Sequence, residues 1–253
     1  MAAALQIRLR NLARRVSASA VSTRTVRMVN PRPIASFSFD DFPKSAVSQG
    51  AAILEKGGLR GTYYLSARFQ GLTEDGVDYY DRDDLKRLFD YGHEIGCHTA
   101  SHVHAPDLTG IGLVKELETN AAFVREALGD ARMTTFAFPF GDIDLRTKLF
   151  MQDRFAACRT TAPGLNRDVA DLGGLRAVSL YSGSTDAGRI RALARETARP
   201  RAWLIFYTHD VSDSPTPYGC TPELLQAAVD AVVEAGFEVL PVRNALGLIR
   251  FRT

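Results

Sequence analysis

Short runs of apolar, β-leaning residues alternate along this chain with longer stretches whose apolar positions recur at helical spacing. Residues 34–39 form the first run, which reads as a strand buried on both faces and stops abruptly at Asp40-Asp41. Ser45 opens a helical pattern with Val47, Ala51, Ile53 and Leu54 on one side, ended by Gly57-Gly58. Residues 61–65 and 94–97 predict the next strands. Between them lies a helix capped by Asp81, striped by Leu85, Leu88 and Phe89, and closed by Gly92. Residues 113–128 predict a longer amphipathic helix before Gly129. Further strands are expected at 134–138, halted by Pro139 and Gly141, and at 154–158, 175–180 and 203–207. Helices follow at 190–199 and 222–235, the second with Pro222 at its first position after Thr221. A strand at 237–240 and a helix around 245–249 complete the pattern.

Strand and helix alternate from residue 34 onward without an internal repeat or a Pro/Ser-rich linker, which predicts one α/β domain over residues 34–253. The number of strands suits a barrel as well as an open sheet. Polar residues cluster where strands end: Asp40-Asp41, His98, the Pro139-Phe140-Gly141 turn and His209-Asp210. In parallel barrels those ends are where chemistry gathers.

Composition narrows the class. The chain has 253 residues, 45% hydrophobic and 24% charged, which provides for a sizeable core in a soluble globular protein. A net charge of +2 gives no case for nucleic acid as a partner. The charge is uneven: Arg8, Arg10, Arg14, Arg15, Arg24, Arg27 and Arg32 precede the first acidic residue, Asp40, and the rest of the chain carries 24 basic against 29 acidic residues. Residues 1–33 therefore read as a basic leader lying on the domain or on an acidic surface. Their Arg, Ala and Ser content also has the look of an organelle transit peptide. No apolar run suits a secretory signal or a membrane span. Cys97, Cys158 and Cys220 form no Cys-x-x-Cys pair, which fits a reducing compartment, and a cytoplasmic location is expected. Oligomeric state is not readable.

His98 and His102 are four residues apart, one helical turn, so both imidazoles can address one point. Such pairs are more often structural than metallic. With Asp41 as an oxygen donor they would hold zinc or another late first-row ion and leave room for water. Adjacent residues at a strand end point in different directions, so Asp40 and Asp41 can divide the work of ligand and base; the competing reading is a cap for the helix at Ser45. His93 precedes its strand and reads as structural, whereas His104 reads as an exposed or supporting residue. His209, at the exit of an apolar strand, can deliver a proton.

Taken together, Ser38-Phe39-Asp40-Asp41, His98-Thr99-Ala100-Ser101-His102, Phe138-Pro139-Phe140-Gly141 and Tyr207-Thr208-His209 resemble, in order, the motifs of NodB-type polysaccharide deacetylases, a carbohydrate esterase family. The resemblance spans about residues 34 to 245. It implies a distorted (β/α)7 barrel and one divalent metal ion held by Asp41, His98 and His102. It implies Asp40 as general base, His209 as general acid, and the backbone N–H near Phe140 as an oxyanion donor. The expected reaction is removal of an acetyl group from an N-acetylated sugar or glycan. A cyclic amide or imide hydrolase, or a non-catalytic glycan-binding barrel, are the alternatives on the same fold. The sequence departs from the family at Ala137, where an arginine commonly orients the base. Arg176, from a later strand, is the expected replacement, with a surface charge as the competing reading. Tyr79, Tyr80, Tyr181 and Tyr218 fall in expected rim loops and are candidates for stacking on sugar rings, although ordinary loop packing is the commoner role.

Overall fold

The computed structural model describes residues 14, 16–18 and 20–249. Seven parallel strands form the centre: β1 (Ile34–Asp40), β2 (Thr62–Leu65), β3 (Glu94–Cys97), β4 (Thr135–Ala137), β5 (Ala157–Arg159), β6 (Val178–Ser179) and β7 (Ala202–Thr208). Ladders join β1 through β5 in sequence order, and β6 joins β7. β7 returns to β1 with Phe206 opposite Phe37 and Thr208 opposite Phe39, so the sheet curls on itself. The seam lies between β5 and β6, where a single bridge from Arg159 to Leu175 stands in for a ladder. This is a distorted (β/α)7 barrel in one domain. Every residue of β1 and β7 is buried, as strands require when side chains fill the barrel on one face and helices cover the other.

Helices α1 (Ala52–Lys56), α2 (Arg82–Asp90), α3 (Gly110–Leu128), α4 (Leu145–Gln152), α5 (Ala187–Thr197), α6 (Pro222–Glu234) and α7 (Val242–Leu248) surround the strands. Their ends follow local chemistry. Asp81 and Asp84 form a capping box at α2, Thr221 caps α6 with Pro222 next, and Gly129 leaves α3 with φ 67°. α7 closes the floor. Its Arg243 N–H donates to Glu94 (2.8 Å), which also accepts the Thr62 and Thr135 hydroxyls, so this buried carboxylate is fully engaged.

Several elements are shorter than their apolar runs suggested. The expected strand at 175–180 reduces to β6 plus the Leu175 bridge, and that at 237–240 to Glu238–Val239, which pairs with the start of β1. The helix expected from Ser45 opens with the wide π-type turns of Ala46–Ala51 before α1. An antiparallel patch of Thr25–Arg27, Val169–Asp171 and Asn166–Arg167 extends the sheet beyond β7. These strands are too short for periodicity to mark them. They also make part of the basic leader a component of the barrel; residues 1–13 of that leader lie outside the described residues.

Candidate active site and metal centre

The C-terminal ends of β1, β3, β4, β5 and β7 converge on one cavity of about 830 Å³. Asp40, Asp41, His98, His102, Phe140 and His209 all line it. β1 delivers the two carboxylates, and a sharp turn separates them: Asp41 has φ 57° and Phe42 φ 22°. Left-handed backbone is costly for residues other than glycine and persists where the surroundings impose it. Three of the eight such residues described, Asp41, His102 and Phe140, line this cavity, and two more, Phe42 and Thr99, directly follow the lining residues Asp41 and His98.

His98 and His102 are not on a helix. The chain leaves β3 as a loop, bent left-handed at Thr99 (φ 61°) and His102 (φ 49°), and this bend brings the second imidazole back over the first. The loop is pinned at several points: Ser101 N–H donates to Glu116 (2.8 Å), Arg68 N–H to the Ala100 carbonyl (2.9 Å), and Ser66 Oγ to the His98 carbonyl (2.7 Å).

Asp41 Oδ1 lies 3.6 Å from His98 Nε2 and 3.5 Å from His102 Nε2, and it is buried with no hydrogen-bond partner. Four ligands about 2.1 Å from a tetrahedral ion stand about 3.4 Å apart, so these spacings match a shared cation. His98 Nδ1 donates to the Ala137 carbonyl at 2.8 Å, which leaves the Nε2 lone pair toward Asp41. Burial lowers the pKa of His98 to about 4 and that of His102 to about 2, so both imidazoles are neutral, as metal ligands must be. The residues fit a divalent ion.

Asp40 is held differently. Burial opposes its charge, but the Arg159 guanidinium, with help from His98 and His209, outweighs burial and lowers its pKa. Arg159 is itself buried, donates through Nη2 to both oxygens of Asp40, and lies against the rings of Tyr64 (5.1 Å) and Tyr207 (4.9 Å). At Asp41, burial and the neighbouring Asp40 charge act together, and the pKa rises well above the usual carboxylate range. His209 Nδ1 meets the Tyr218 carbonyl (3.2 Å), and its Nε2 faces Asp41 Oδ2 at 4.0 Å. Burial lowers its pKa.

The expectation placed on Arg176 does not hold. Its guanidinium is exposed and donates to the Pro163 carbonyl, and Arg159 occupies the place beside Asp40. Arg159 ends β5 as Asp40 ends β1; it escaped notice because the expected strand stopped one residue short, at 158. Ala137 has a use of its own, since its carbonyl orients His98. Tyr79, Tyr181 and Tyr218 line the cavity, but Tyr80 is buried, stacked on Phe42 at 4.2 Å with its hydroxyl on the Ser66 carbonyl. His93 is a buried structural residue that receives the Gly61 N–H and meets Glu55.

The barrel thus presents two histidines and a carboxylate that could hold a metal ion to one cavity, with a second carboxylate and a third histidine beside them. The family model for "Polysaccharide deacetylase" matches residues 28–153, and the chain belongs to that family. Over 103 residues it is 27% identical to a chitin deacetylase of Arthroderma benhamiae, a match spanning 41% of this chain and 26% of that protein. The fold is similar to a family 4 acetyl xylan esterase from Clostridium thermocellum in complex with a cobalt ion, with TM-score 0.60, 17% identity, and coverage of 85% of this chain and 91% of that one. It is also similar to a CE4 family pseudoenzyme from Bacillus anthracis, with TM-score 0.62, 15% identity, and coverage of 91% and 71%.

Proposed function

We propose that this chain is a divalent-metal-dependent hydrolase that removes acetyl groups from N-acetylated sugars in a glycan, with zinc as the ion that two imidazoles and a carboxylate suit best. The observation that carries the reading is the spacing of Asp41, His98 and His102 around one point, beside an ionised Asp40 and an imidazole at His209. The family match, together with the separate partial likeness to a chitin deacetylase, supports the substrate class.

Asp41, His98 and His102 hold the ion, which when bound supplies an acidified water and a positive charge for the developing oxyanion. Asp40, kept ionised by Arg159, accepts a proton from the attacking water. His209, oriented through Nδ1 by the Tyr218 carbonyl, gives a proton from Nε2 to the departing nitrogen. Its lowered pKa makes the protonated ring a readier donor. The left-handed turn at Phe140 brings backbone to the cavity wall, where the resemblance places the oxyanion donor. The pseudoenzyme shares this fold, but the presence of both Asp40 and His209 beside the ligands favours a working site, since binding alone needs neither.

The test is acetate release from N-acetylglucosamine oligomers before and after chelation. Activity is expected to vanish on metal removal and to return with zinc. Undiminished turnover in metal-free protein overturns the reading.

A further inference from the structure

The cavity wall carries another histidine–carboxylate pair that the proposed reaction leaves unused. Asp142 is fully buried; its Oδ2 lies 2.9 Å from His104 Nδ1, and its Oδ1 has no hydrogen-bond partner. A carboxylate so shielded from water gains most from a donor, so the imidazole turns Nδ1–H toward it. That choice aims the ring and leaves Nε2 on the side away from Asp142.

The ring is 41% exposed and lines the cavity. It lies flat on Phe140, with centroids 4.1 Å apart and planes 12° from parallel, and Phe140 in turn touches His102 at 4.3 Å. His104 is therefore one aromatic ring away from a metal ligand. His93 shows the contrasting case: both its ring nitrogens are engaged within the protein, and its side chain is wholly buried. At His104 a buried acid orients one nitrogen, and the other is left for whatever enters the cavity.

We propose that His104 is a substrate-positioning residue whose Nε2 hydrogen-bonds a ring hydroxyl of the sugar at, or next to, the acetylated unit. The proposal rests on the reading of the cavity as a glycan site. A sugar hydroxyl suits the position because it both donates and accepts, and so satisfies Nε2 in either protonation state. The exposed Phe140 ring beside it offers an apolar surface to the C–H face of the same sugar. Asp142 acts through His104 and does not touch the substrate.

The experiment is calorimetric titration of zinc-loaded full-length chain, carrying Asp40→Asn to prevent turnover, with tetra-N-acetylchitotetraose and with acetylated xylotetraose. Zinc content of each variant is measured in parallel. His104→Ala is expected to weaken binding about tenfold, the loss of one hydrogen bond, with zinc content unchanged. His104→Gln, whose amide reaches the position of Nε2, is expected to recover most of that loss, and Asp142→Asn to weaken binding by a smaller factor. Unchanged affinity in His104→Ala overturns the proposal. So does a loss of binding accompanied by loss of zinc, which would make the residue a prop for His102. A chain with native His104 that binds neither oligosaccharide removes the glycan reading itself, an outcome distinct from both.

Discussion

Asp40 and Asp41 are neighbours in sequence, both buried, and pushed in opposite directions by their surroundings. Arg159 decides the matter at Asp40, so Arg159→Met should cost activity as a base is lost, by about 10²-fold in kcat/KM at neutral pH. It should also move the acid limb of the pH–rate profile upward, because Asp40 then ionises at higher pH. A carboxylate whose pKa is lowered by folding contributes stability above the ordinary carboxylate range and loses it as pH falls through its folded value. The stability gap between native and variant chains should therefore shrink on acidification, as urea melts at several pH values will read. At Asp41 the raised pKa has another consequence. His98 and His102, with pKa values of about 4 and about 2, are already neutral near pH 6, so Asp41, whose pKa burial and the Asp40 charge raise, is the ligand whose proton competes with the incoming ion. Zinc affinity should rise about tenfold per pH unit below the pKa of Asp41 and flatten above it. Calorimetry in buffers of different ionisation enthalpy should count a proton release that approaches one per ion below the pKa of Asp41 and falls toward none above it.

Elements place these residues, and here the sequence was legible in part. Strands buried on both faces announce themselves as apolar runs, so β1, β3 and β7 were readable together with the polar residues that end them. Loop paths were not. The four-residue spacing of His98 and His102 suggested a helical turn, yet left-handed bends at Thr99 and His102 do the work, and no pattern of apolar residues encodes a bend. Nor does local sequence reveal that Arg159 meets Asp40 across 119 positions, because that contact follows from barrel closure. The loop after β7 offers a test at this scale. A Cβ at Gly219 would stand 2.2 Å from Asp210 Oδ1, and Asp210 is committed to the Thr216 amide (2.9 Å) and hydroxyl (2.5 Å). Relieving the clash must shift Tyr218, whose carbonyl orients His209. Gly219→Ala should lower kcat by about tenfold or more and stability by about 1–3 kcal/mol, with zinc content unchanged. A fall in zinc content would show that the loop supports the metal ligands instead.

Across the whole molecule, the unexpected feature is how the N-terminal segment is fastened. The abrupt change of charge before Asp40 marks a basic leader expected to lie on the domain or on an acidic surface, and its described part is held by particular acceptors. The Arg24 guanidinium caps carbonyls of Gln152, Phe155 and Ala156 at the end of α4, and Thr25–Arg27 pairs with Val169–Asp171. Lys148 is the buried counterpart on the barrel side. Its Nζ donates to the carbonyls of Ala18 (2.8 Å) and Val21 (2.6 Å) and to Asp171 (2.7 Å). Burial opposes the charge on Asp171, yet its bonds from Lys148 and from backbone N–H groups lower its pKa. Lys148→Met removes the cation and strands the buried acceptors, a loss of about 3 kcal/mol at neutral pH that should narrow as pH falls and Asp171 takes up its proton. Arg14→Ala breaks only the more exposed pair with Asp107 and should cost less than about 1 kcal/mol. If net positive charge alone held the segment, the two variants would lose similar stability, and salt would erase both losses. Specific fastening predicts a large Lys148 effect that persists in high salt beside a small Arg14 effect that does not.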